Sequence, residues 1–231
     1  MFRDGRVEIV APLNARPGAV ARFVAEHRAW IERTQRRARR NAPVHPPGAR
    51  SLPVPQLELA ALCETWRVVH HESGGRARMR VEPWAPGVEP DCAGTLLLYT
   101  AADDQTAMRR LLVSWLRERL RAAAHELLPA LAATMGTDFA AVRVGCQRSR
   151  WGSCSRHGTI SLNCCLLFQR PAVLRYLLVH ELAHRRHMNH GARFWQHVAA
   201  YEPDWRSLDR ELSRGWKRVP PWTRERNGGM E

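Results

Sequence analysis

His180-Glu181-Leu182-Ala183-His184, with His190 six residues further on, is the stretch that decides how this chain reads. Residues four apart on an α-helix lie on one face, one turn above the other. His180 and His184 can therefore hold one ion, while Glu181, rotated by about 100°, reaches a water on that ion. Asn189 and Gly191 flank His190, and both tolerate the left-handed conformation that ends helices, so a returning chain delivers a third imidazole. Three protein ligands with one open position is the catalytic zinc pattern, whereas structural zinc sites are closed by four. With 11 His in 231 residues, an H-E-x-x-H string arises by chance roughly 0.03 times, so accidental spacing is the weaker reading.

The flanking sequence supports a helix here. Pro171 suits a first helical turn, and Val173, Leu174, Leu177 and Leu178 have the apolar spacing of a buried helix. Upstream, Thr159, Ser161 and Asn163 alternate with Ile160 and Leu162, the period of a half-buried strand, with Val142 to Cys146 as its partner. Were Thr159 to Asn163 a sheet edge, its free backbone groups would pair with an extended polypeptide substrate along residues 159–163. The alternative is an ordinary core strand. Trp151-Gly152 reads as a tight turn whose indole packs over the site.

Arg150-Trp151-Gly152-Ser153-Cys154-Ser155, the strand ending in Leu162-Asn163, the proline-started helix with H-E-L-A-H, Asn189-His190-Gly191 and Phe194-Trp195 follow one another in order. This arrangement resembles the YgjP-like family of zinc metallopeptidases, compact relatives of gluzincin-type and SprT-like proteases. The resemblance is strongest over roughly residues 142–205. It extends more weakly to an opening strand at Val7 to Pro12 and a first helix over Ala25 to Glu32. The chain departs from the family pattern in opening at Met1-Phe2-Arg3-Asp4-Gly5 without a basic lead-in strand. The resemblance implies one Zn2+ per chain held by His180, His184 and His190, Glu181 as catalytic general base, and polypeptide substrates. Zinc brings the pKa of its water to about 7, and Glu181 takes the proton as the water attacks. His187, His197 and Tyr201 are candidates for stabilising the oxyanion, each also readable as a structural residue.

Composition is consistent with this reading. Hydrophobic content of 45% and charged content of 25% are ordinary for a globular protein. No apolar run approaches the roughly 20 residues that span a bilayer, and Arg3, Asp4, Arg6 and Glu8 interrupt any signal-like core. A cytoplasmic enzyme with no membrane association is the expectation. The six cysteines form no C-x-x-C pair, which argues against a zinc ribbon and for buried free thiols. Net charge is +14, carried by arginines, with Lys217 the only lysine. Arg33, Arg36, Arg37, Arg39 and Arg40 suit the end of a helix. They equally suit a patch for nucleic acid, so the alternative function is a nucleic-acid-associated protein whose zinc serves folding or a partner. A metal hydrolase acting on a non-peptide bond is a third reading.

Along the chain, a helix is expected from Pro17 to Arg40, a loop over the proline-rich 41–55, and short strands between Leu57 and Tyr99. Asp103 or Asp104 caps a long helix to about Thr134, which Pro129 should kink or split. Helices follow over Ala192 to Tyr201 and Asp204 to Lys217, and Pro220-Pro221 opens a loose tail. The predicted class is α+β: a zincin-like metallopeptidase domain over residues 101–231, behind a β-rich accessory region with one helix over residues 1–100.

Overall fold

A computed structural model describes residues 17–28, 32, 52–83 and 92–224. The expected strand at Val7 to Pro12, the continuation of the first helix to Arg40 and the cluster Arg33 to Arg40 lie outside the described residues. The chain divides into two units, Met1–Val44 and His45–Glu231. In the first, helix α1 spans Pro17–Glu26 and starts at proline. The second carries everything that follows.

Among the described residues the second unit contains two small sheets and four α-helices, so the architecture is α+β with a β-rich amino-terminal part. Strands β1 (Gln56–Leu59), β2 (Glu64–Glu72), β3 (Arg78–Pro83) and β4 (Gly94–Thr100) form one sheet in the order β1-β2-β4-β3. β2 and β4 pair in parallel, and the outer pairs are antiparallel. β4 alternates between buried and half-buried positions, and Leu96 and Leu98 point into the core. Gly94 opens this strand because a Cβ there would stand 2.4 Å from the Glu82 carbonyl.

Helix α2 (Gln105–Thr134) begins at Asp104, whose carboxylate accepts the Ala107 N–H at 2.8 Å. It ends at the left-handed Gly136, where Thr137 N–H closes on the Ala132 carbonyl at 2.9 Å. Pro129 does not split it. The proline is exposed and removes a single backbone bond, while Leu120, Ala124, Leu128 and Leu131 hold the buried face on both sides. This helix lies against β4 and against the second sheet.

That second sheet contains β5 (Ala141–Gly145), β6 (Gly152–Cys154) and β7 (Thr159–Asn163), in the order β5-β7-β6. β7 runs parallel to β5 and antiparallel to β6. Thr159 to Asn163 is therefore the central strand, with both edges taken, and cannot receive a substrate strand. β5 and β6 are the edge strands, and the three residues of β6 are too short to show an alternating pattern. Asn163 is fully buried and ties the intervening loop: its amide donates to the carbonyls of Gln147 (2.7 Å) and Arg150 (2.9 Å).

Helices α3 (Pro171–Ala183), α4 (Ala192–Tyr201) and α5 (Trp205–Arg214) complete the unit. α3 packs on β6, α2, α4 and α5, and its residues from Val173 to Leu182 are nearly all buried. Trp151 is buried and stacks on Trp216, with ring centroids 3.9 Å apart, and the strand β6 starts at the next residue rather than a tight turn. The segment after Pro220 is not loose as far as it is described. Pro221–Arg224 forms a 3-10 turn in which Trp222 and Thr223 are buried, and Arg109 donates to both their carbonyls. An indole that large offsets the ordering cost of a short terminal segment. Among the described residues no helix is long and apolar enough to cross a membrane.

Candidate metal centre

α3 ends at the centre. His180 and Glu181 lie in its last turn, and His184 caps it. The chain then winds tightly, with Arg186 and His187 N–H groups both closing on the Ala183 region, and returns through His190 to Gly191, which precedes α4. The return needs no left-handed residue: among the described residues positive φ occurs only at Cys63, Gly94, Gly136 and Gly158. The expected use of Asn189 and Gly191 in that conformation is thus replaced by the tight end of α3.

The structure brings His180, His184 and His190 together, with one ring nitrogen of each within 4.8 Å of the others. Nε2 of His190 stands 3.1 Å from Nε2 of His180. The Phe194 ring packs against all three imidazoles, with centroid separations of 4.9, 4.6 and 4.8 Å. His184 is buried, His180 half-buried and His190 exposed, so the group opens to solvent on one side.

Hydrogen bonds behind two of the rings assign which nitrogen is free. Nδ1 of His184 donates to the His187 carbonyl at 3.0 Å, leaving the Nε2 lone pair forward. Nδ1 of His180 lies 3.4 Å from the Tyr176 hydroxyl, whose single proton goes to Asp209 Oδ1 at 2.9 Å. The hydroxyl then accepts from His180, and Nε2 of that ring is also free. Burial, and then the neighbouring His184 and His190, push His180 down to about 3, so its imidazole is neutral. Burial also lowers His184. Neutral imidazoles that share a forward direction are a donor set for a borderline divalent metal.

Glu181 follows His180 in the last turn of α3 and is 3% exposed. One oxygen packs against Gly152, where a Cβ would stand 2.6 Å from Oε1. The other, Oε2, is buried with no hydrogen-bond partner in the protein. Burial pushes its carboxyl up to about 8. Cys154, two residues along β6, has its thiol raised by burial and by the Glu181 charge.

His187 contributes its carbonyl to the centre. Its ring packs toward His197 (5.7 Å), and His197 toward Tyr201 (5.4 Å). Sequence reasoning missed Tyr176, Asp209 and Gly152. Tyr176 stands one turn before His180 on the same helix face, a readable signal; Asp209, 33 residues further along the chain, had none.

A family model described as YgjP-like, metallopeptidase domain, matches residues 1–215. Solved structures with similarity include the metallopeptidase zymogen abylysin of Pyrococcus abyssi, at 26% identity over 39% of this chain and 93% of that one, with a TM-score of 0.36. The metallopeptidase zymogen jannalysin of Methanocaldococcus jannaschii matches at 16% identity over 40% of this chain and 95% of that one, also at 0.36. No curated protein matches the chain.

Proposed function

The chain belongs to the YgjP-like metallopeptidase family, and on that premise we propose that it is a zinc-dependent peptidase in which Glu181 is the general base. One observation carries the reading: three imidazole nitrogens converge, and Glu181, the residue next to His180 in the helix, has a buried carboxylate oxygen with no hydrogen-bond partner in the protein. Tetrahedral zinc with bonds of about 2.0–2.1 Å spaces its nitrogens about 3.3 Å apart. The 3.1 Å between Nε2 of His180 and His190 is near that value. When bound, zinc supplies Lewis acidity, polarising the scissile carbonyl and making water acidic enough to attack near neutral pH.

The chain's own residues do the rest. His180, His184 and His190 hold the ion through Nε2. Oε2 of Glu181 takes the proton of the attacking water and returns it to the departing amine. A carboxyl raised by burial suits a proton that must be accepted and then released. Substrate docks on β6. Asn163 N–H bonds Trp151 and Ser155 N–H bonds Thr159, each at 2.9 Å, so by antiparallel alternation Ser153 also faces β7. Gly152 and Cys154 turn their backbone N–H and carbonyl groups to the side of β6 away from β7, where Gly152 packs against Glu181. An extended peptide added there is read by its main chain, with little sequence preference.

Chelation tests this reading. Removing metal from the purified protein abolishes cleavage of an unfolded protein substrate, and one equivalent of zinc restores it. Cleavage that survives complete metal removal contradicts it.

A further inference from the structure

The geometry points to a second metal site in this chain, a three-sulfur site formed by Cys146, Cys164 and Cys165 that takes a soft monovalent ion of the Cu(I) type. The parallel register of β5 and β7 creates it. Gly145 pairs with Asn163, so Cys146 and the adjacent Cys164-Cys165 leave the same end of the sheet side by side. Seventeen residues separate the two stretches, so no C-x-x-C spacing announces them. The three sulfurs lie within 4.8 Å of one another, and none is in a disulfide. Cys164 and Cys165 are fully buried, while Cys146 is half-buried and gives the way in.

The donor set selects the ion. Closed zinc sites take four ligands, and this cluster offers three, all sulfur. Three soft donors favour Cu(I) over the borderline divalent metals that suit the imidazole centre. With metal–sulfur bonds of about 2.3 Å, three sulfurs around a trigonal ion stand about 4 Å apart, so the side chains need only a small contraction. Charge is compensated locally. The Thr223 carbonyl accepts from Cys146 Sγ at 3.5 Å and from Arg109 Nη2 at 3.1 Å, which puts a guanidinium one carbonyl away from the cluster. Binding one Cu(I) by all three sulfurs releases three thiol protons to solvent and leaves three thiolate bonds. The resulting double negative charge lies one carbonyl away from Arg109.

The test uses the whole 231-residue chain, reduced and supplied with zinc, without oxygen. Cu(I) is titrated against bathocuproine disulfonate, and the readouts are copper retained per chain and the ultraviolet sulfur-to-copper charge-transfer absorption. One equivalent is retained with that absorption in the wild type and in His190→Ala, and affinity falls at least 100-fold in Cys165→Ala and Cys146→Ser. Circular dichroism shows that each variant is folded, and zinc content that each cysteine variant keeps the imidazole centre; if Cys165→Ala is not folded, the half-buried Cys146→Ser decides. Surrender of all copper by the wild type overturns the site. So does retention unchanged in a folded cysteine variant, or retention lost in His190→Ala.

Discussion

The hydroxyl of Tyr176 stands 3.4 Å from Nδ1 of His180, one helical turn away, and donates a hydrogen bond to Asp209 Oδ1 at 2.9 Å. This chain of contacts fixes the His180 tautomer from behind. Partners of that kind are worth about 10- to 100-fold in metal affinity. Tyr176→Phe keeps the buried ring and removes only the hydroxyl, so zinc affinity should fall about tenfold or more by competition with a chelator. Cleavage at saturating zinc should recover most of the wild-type rate, because the residue positions a ligand and touches no substrate. Unchanged affinity would show that the contact does not orient the ring.

Gly152 has no room for a side chain beside Glu181. A Cβ there would stand 2.6 Å from Oε1, and the carboxylate, as the end of a flexible side chain, would move before the backbone does. Gly152→Ala should therefore retain the fold and zinc while losing about 100-fold or more in kcat, the scale of a displaced general base. Wild-type kcat in this variant would mean that Glu181 does not need its place against β6.

Glu211 gives a stability effect with a defined pH window. Arg170 first and Arg218 second hold its carboxyl down at about 2, linking the start of α3 to α5 and to the segment after it. A folded pKa below the unfolded one contributes stability that is fully present above about pH 4.5 and is lost as pH falls through 2. Both arginines are largely exposed, so solvent screening leaves about 1 kcal/mol at neutral pH. Glu211→Gln should be less stable by that amount at pH 7 in denaturant unfolding. The gap should narrow below pH 4.5. A gap independent of pH would assign it to packing.

Much of the centre was legible because its signals are local. H-E-x-x-H, a first-turn proline and buried apolar spacing define α3, and alternation from Thr159 to Asn163 defines β7 with its bounds. What sequence did not show depends on pairings between distant segments. The three residues of β6 are too few to declare a strand, yet they displace β7 from the edge. Asp209 reaches the centre only because α5 packs on α3. The paired prolines at 220 and 221 suggested a loose tail, but the burial of Trp222 holds that segment to α2. At Pro129, tertiary packing of the buried stripe outweighed the lost backbone bond.

The central claim is that Glu181 moves the proton at a metal centre built from His180, His184 and His190. Its most direct test pairs the wild type with Glu181→Gln, measuring zinc content by elemental analysis and cleavage of an unfolded protein substrate. The account predicts one zinc per chain in both proteins and cleavage in the wild type alone. Equal cleavage by both proteins would contradict the role of Glu181, and absence of zinc from both would contradict the centre itself.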